Sequence, residues 1–250
     1  MKTAWIALAE DGFDPTEAAV TWRALRDAGH DVRFVTPTGG AARADQRMVT
    51  GEGLGPWKPV LRADARGRAA YDEMIVERAF ARPSPVTDVD PREIDLLVLP
   101  GGHAPGMRPY LESRPLQALA AACFDDAKPV GAICHGVVVL ARARRADGRS
   151  VLHGKKTTAL TERQELLAWN MTRLWLGSYY RTYPQTVEAE VREALSRPED
   201  FDRGPLAISR DAPTRLERGF VVRDGAYVSA RWPGDAHRFG RALVELLAER

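Results

Sequence analysis

One cysteine stands where nucleophilic chemistry is easiest to arrange. Cys134 lies in Val130-Gly131-Ala132-Ile133-Cys134-His135-Gly136, between an apolar run that reads as a buried strand and a second, Val137 to Leu140, that reads as a helix. No residues remain for a loop. A strand that becomes a helix within about two residues cramps the backbone at the bend and lifts that side chain to the C-terminal edge of the sheet. Ala132 and Gly136 are the small neighbours such a bend requires. A helix N-terminus favours thiolate over thiol, and His135 beside it is placed to shift the pKa further. The predicted chemistry is addition of sulfur to an electrophilic carbon. The plain alternative, a buried small hydrophobe, is the usual fate of a free cysteine. It suits Cys123, which shares the helical spacing of Leu116, Leu119 and Ala120.

The adduct's oxygen needs N–H donors aimed at one point. His135 supplies one as the residue after the nucleophile. Gly101-Gly102, closing the predicted strand Leu96 to Leu99, offers a second, assigned to Gly102. The same glycines also read as a simple strand-to-helix turn, and the two roles are compatible. His103 either reaches the pocket or caps the next segment.

The elements that must position these groups follow a βαβ rhythm. Ala4 to Ala9 and Val32 to Val35 read as strands around a helix that starts at Asp14-Pro15-Thr16-Glu17, with an acidic N-cap, Pro at the first position and Glu at the third. That opening predicts a parallel sheet with right-handed crossovers. Helices are expected over Tyr71 to Phe80, Leu116 to Ala127 and Val187 to Leu195, and in a last one from Asp235. Gly154 to Leu160 reads as a turn and strand. Thr161-Glu162-Arg163-Gln164 fits a capping box that opens a helix toward Trp169. Phe220 to Val222 and Tyr227 to Ala230 read as a hairpin turning at Asp224-Gly225. Two stretches break the rhythm: about 37–70, rich in Gly, Pro, Ala and Arg, and about 169–215, with Trp169, Trp175, Tyr179, Tyr180 and Tyr183. The second is expected to be a cap over the site or an oligomer contact. The fold class is α/β, a flavodoxin-like three-layer sandwich with a mostly parallel sheet, expected as one domain over 1–250.

Charge excludes some functions. Thirty-six basic and 34 acidic residues, net +2 and mixed in order, make no field for a polyanion, so nucleic acid is not an expected partner. No uninterrupted apolar run approaches the ~20 residues that span a bilayer. The first residues lack a signal-peptide pattern, and two cysteines make no disulfide framework, so a cytoplasmic setting is expected. The five histidines (His30, His103, His135, His153, His237) are scattered without metal-ligand spacing, and no phosphate-cradling glycine loop occurs. Neither metal nor cofactor is expected.

Three stretches resemble the ThiJ/PfpI branch of the class I glutamine amidotransferase-like superfamily: Glu10-Asp11-Gly12-Phe13 through Glu17, Leu99-Pro100-Gly101-Gly102-His103, and Ala132-Ile133-Cys134-His135-Gly136. A fourth, Ser229 to Asp235, is similar to the family's closing strand and helix start. The resemblance implies that Glu17 is the carboxylic acid bonded to the cysteine, protonated beside the thiolate. By position Glu17 also fits half of a capping box with Asp14. In these relatives His135 pairs with an acid after the next strand, and the match falls on Glu165. Glu162, at the first helical position, is already accounted for by the helix dipole. A solvated surface glutamate is the other reading of Glu165. True glutamine amidotransferases add a late His-x-Glu pair, and no histidine here is followed two residues later by Glu. Ammonia release from glutamine is therefore not expected.

The resemblance implies glutathione-independent glyoxalase or deglycase chemistry on a small carbonyl compound, and a homodimer. Two alternatives stay open: amide or peptide hydrolysis by the same nucleophile, and a stress chaperone or redox sensor in which Cys134 is oxidised to a sulfinic acid.

Overall fold

Short β-branched and apolar runs build the strands of one seven-stranded sheet. They are β1 (Thr3–Ala7), β2 (Asp31–Thr36), β3 (Ser84–Pro85), β4 (Leu96–Leu99), β5 (Val130–Ile133), β6 (Val221–Asp224) and β7 (Tyr227–Ala230), in the order β3-β2-β1-β4-β5-β7-β6. The computed structural model describes residues 1–207 and 209–250; Ile208, within the 169–215 stretch, lies outside the described residues. All neighbours are parallel except β6 and β7, which form the expected hairpin. With edge strands β3 and β6 set aside, β2-β1-β4-β5-β7 repeats the flavodoxin order, whose ligand crevice lies where the winding reverses, between β1 and β4. The fold is flavodoxin-like α/β. β4 and β5 are buried along their whole length, as a strand covered on both faces must be.

Eight helices matter for the site: α1 (Pro15–Asp27), α2 (Gln46–Thr50), α3 (Ala65–Met74), α4 (Arg114–Asp125), α5 (Gly136–Arg142), α6 (Glu162–Leu176), α7 (Val187–Ala194) and α8 (Ala236–Ala248). α1 packs against α3 and α8, while α4 and α7 both pack against α5. Phe239 and Leu243 of α8 press on Gly131 of β5, where an added Cβ would come within 3.0 Å of both. Among the described residues no helix is long and apolar enough to cross a membrane.

Two expectations needed correction. The strand expected within Gly154–Leu160 does not form, and only Thr157 makes an isolated bridge, to Phe201. The hairpin partner β6 already occupies the edge of β7, and that stretch joins no strand of the sheet. The helix expected over Tyr71 to Phe80 instead begins at Ala65, because the Asp64 carboxylate caps Gly67 N–H at 2.8 Å, and it ends at Met74.

Candidate active site

The strand-to-helix bend is present and strained. Cys134 follows the last residue of β5 with φ 58, a left-handed conformation that costs a non-glycine residue about 1–3 kcal/mol. It is held there by Cys134 N–H donating to Ala230 O at 3.1 Å and by Val137 N–H donating to Cys134 O at 3.3 Å. Two glycines let the bend touch the exit of β4. A Cβ on Gly136 would overlap the Leu99 carbonyl, 2.7 Å from its carbon, and one on Gly101 would lie 2.6 Å from the His135 nitrogen.

Asp14 caps α1, its Oδ1 accepting from Thr16 N–H at 2.8 Å and Glu17 N–H at 3.0 Å. Glu17 does not complete a capping box. The Asp14 N–H is spent on Gly101 O at 2.8 Å, and the Glu17 carboxyl turns inward, fully buried, with Oε2 accepting from Gly101 N–H at 2.8 Å. Among the described residues no group lies within hydrogen-bond geometry of Oε1. Burial first, then the neighbouring Asp14, push the Glu17 carboxyl well above its usual range. Asp14 is itself raised to about 6, chiefly by burial.

The charge state of the sulfur departs from expectation. Cys134 is 2% exposed, and burial followed by the nearby Glu17 and Asp14 charges lifts its thiol well above 9, toward the neutral form. A helix terminus is worth about 0.3–1 kcal/mol. Stripping water from an ion costs several. Burial therefore overrides the dipole, biasing the sulfur toward the thiol and the adjoining Glu17 carboxyl toward its protonated form. His135 is fully buried, with Nδ1 3.5 Å from the sulfur. Burial, then His103 and Arg142, lower its pKa to about 3, so the ring is neutral.

The candidate oxyanion donors are only partly free. The His135 N–H is directed at its neighbour's sulfur, and Gly101 N–H is taken by Glu17. Gly102 N–H donates to no group among the described residues. Its φ is 152, and an added Cβ would lie 2.6 Å from Gly12 O, so only glycine fits there.

Glu165 is not the partner of His135. Its Oε2 accepts from Val187 N–H at 2.9 Å, capping α7, and its Oε1 lies 3.4 Å from Arg181 Nε. Burial raises it to about 7. As the fourth residue of α6 it faces the neighbouring helix α7 rather than the bend. Glu162, also on α6, is exposed, and its N–H donates to Glu188. The group that meets His135 Nε2 is the hydroxyl of Thr182, at 3.2 Å. Nothing in the sequence singled out Thr182, 47 residues from the histidine and inside the most irregular stretch.

The two irregular stretches pack on one another as a cap. Met48, Leu54 and Tyr180 form a second buried apolar cluster with Leu61, Trp169, Leu176 and Tyr179 around them. Trp175 Nε1 donates to Gly53 O at 2.8 Å, and the Tyr179 hydroxyl donates to Asp45 Oδ2. From this cap Tyr180 stacks on His103, ring centres 4.4 Å apart, and His103 stands 6.2 Å from His135. His103 Nε2 is buried with no hydrogen-bond partner among the described residues, and burial lowers that ring to about 4. His103 thus belongs to the site. Among the described residues no group of three or more His, Cys, Asp or Glu is placed to hold a metal ion.

A family model described as ThiJ/PfpI family-like matches residues 8–204. The chain is 26% identical over 242 residues to a deglycase from Thermococcus kodakarensis, covering 97% of this chain and 98% of that protein. It is 28% identical over 161 residues to a glutathione-independent glyoxalase from Schizosaccharomyces pombe, covering 62% of each. Among solved structures, glyoxalase III from Candida albicans superposes with a TM-score of 0.73 at 18% identity, over 98% of this chain and 97% of that one. At that identity the superposition speaks to the fold.

Proposed function

The chain belongs to the ThiJ/PfpI family, and from that premise we propose that it is a cofactor-independent cysteine enzyme acting on a small dicarbonyl, with methylglyoxal converted to lactate. The observation that carries this reading is the convergence on one sulfur, at the strained bend, of the fully buried Glu17 carboxyl, whose pKa burial pushes well up, and of His135 Nδ1 at 3.5 Å. The names of the deglycase and glyoxalase relatives agree with it.

The steps balance without oxidant or metal. The Cys134 thiol adds to the aldehyde carbon while His135 Nδ1 takes the sulfur's proton and returns it to the new alkoxide, to which the uncommitted Gly102 N–H donates as it forms. Neutral His135 then removes the hydrogen from that carbon as Glu17 protonates the ketone oxygen, giving an enediol. His135 delivers its proton to the former ketone carbon, the other enediol hydroxyl gives its proton to Glu17, and a lactoyl thioester results. Water cleaves the thioester, releasing lactate and the thiol. The aldehyde carbon is oxidised and the ketone carbon reduced within one molecule, so the net reaction adds only water.

A neutral, enclosed thiol suits this concerted chemistry better than peroxide sensing, which favours an accessible thiolate. The test is lactate formation from methylglyoxal without glutathione, run beside a panel of chromogenic amides. Lactate with inert amides supports the proposal. Amine release without lactate replaces it with the hydrolase reading.

A further inference from the structure

We infer that Thr182 is the positioning residue of His135: its hydroxyl holds the imidazole with the ring proton on Nε2, leaving Nδ1 as the free base that faces the sulfur. The inference rests on the reading of Cys134 as the nucleophile. It follows from counting protons at one oxygen. Thr182 Oγ1 lies 2.9 Å from the His103 carbonyl oxygen and 3.2 Å from His135 Nε2. A hydroxyl has one proton and can also accept, whereas a carbonyl only accepts. The His103 carbonyl has no other hydrogen-bond donor among the described residues, so the Thr182 proton is committed to it. Toward His135 the hydroxyl oxygen must then accept, and Nε2 must donate. The other nitrogen, Nδ1, is the one 3.5 Å from Cys134 Sγ.

Thr182 is itself braced. Arg108 donates to the Thr182 carbonyl oxygen from Nε at 3.0 Å and from Nη2 at 2.7 Å. The next residue, Tyr183, lies under the Arg142 guanidinium, 4.4 Å from the ring centre, and accepts from Arg142 Nη1 at 3.1 Å. The cap thus carries a fixed hydroxyl to the place where a carboxylate would otherwise orient a catalytic histidine. A hydroxyl sets the tautomer but contributes no negative charge, so the imidazolium exists only while the proton is in transit.

The direct test is long-range 1H–15N correlation on the full chain labelled with 15N-histidine, with His135 assigned by comparison with a His135→Gln variant. The expected spectrum has His135 protonated at Nε2 and unprotonated at Nδ1, in the parent chain and in Thr182→Ser. Thr182→Val should show mixed tautomers and a kcat for lactate formation about 10- to 100-fold lower, the scale found when a partner orienting a metal-bound histidine is removed, with KM little changed. Thr182→Ser should recover kcat to within a few-fold. A parent chain protonated at Nδ1 overturns the inference even if Thr182→Val fails to fold. So does Thr182→Val with parental kcat beside an inactive Cys134→Ala. A fully active Cys134→Ala instead sinks the functional reading, and the tautomer spectrum still decides the role of Thr182.

Discussion

Replacing Glu165 by glutamine separates a structural carboxyl from a catalytic one. Glu165 is 3% exposed, and its pKa rises from an ordinary 4.5 to about 7, mainly by burial. The folded chain therefore holds this proton more tightly than the unfolded chain. Its contribution to stability is full below about pH 4.5 and is lost as pH climbs toward 7. At 1.36 kcal/mol per pKa unit the loss amounts to about 3 kcal/mol. His103 and His135, depressed to about 4 and about 3, act the other way, since their contribution is lost as pH falls below 6.5. They are present in both chains, as are Asp14, raised to about 6, and Asp211, which burial raises to about 7, so the difference between parent and variant isolates Glu165. Urea unfolding followed by tryptophan fluorescence at intervals from about pH 4.5 to 8 should show Glu165→Gln gaining about 3 kcal/mol on the parent across that range. A difference that stays constant with pH refutes the reasoning. Activity gives a second reading: Glu165→Gln should keep kcat/KM within a few-fold, whereas loss of a residue that shares the proton transfer would cost on the order of 10²–10⁴.

Other substitutions probe the remaining parts of the site. Gly136→Ala drives a methyl into the Leu99 carbonyl, which sits in a central strand and cannot yield; it should destabilise the fold by about 4 kcal/mol or more, read as a lowered Tm or loss of soluble protein. Glu17→Gln keeps an acceptor for Gly101 N–H but loses the acidic proton, and kcat for lactate formation should fall about 10²–10⁴-fold with a smaller change in KM. Tyr179→Phe removes the donor to the buried Asp45, so the cap should loosen by about 1–3 kcal/mol. Native-state alkylation of Cys134 should then quicken, while Cys123, on α4 away from the cap, keeps its parental rate.

The sequence carried the parts of the fold whose causes are local. The N-cap at Asp14, the capping box at Thr161, the hairpin at Gly225 and the bend at Cys134 each depend on residues within a few positions of one another, and all form. Glu17 was marked by the family resemblance, which implied that it turns toward the cysteine, whereas the local pattern equally allowed a capping box. Whether it completes a capping box or turns inward is decided by Gly101, 84 residues away. Glu165 was assigned by its match to the resembled family, and a positional match does not reveal which side of α6 faces the bend. The upward push on the Cys134 thiol was not legible, because a helix terminus is visible in sequence whereas the cap that buries the sulfur is not. That cap arises from two irregular stretches meeting through Tyr179 and Asp45, and Trp175 and Gly53, more than a hundred residues apart. Thr182 rides on it and was invisible for that reason.

The account depends on the Cys134 sulfur forming the bond to substrate. Lactate production from methylglyoxal by Cys134→Ala, measured beside the parent chain at matched concentration and with circular dichroism confirming that both are folded, tests this most directly. Production should fall to the uncatalysed rate. Lactate formed at the parental rate by the folded variant would contradict the account.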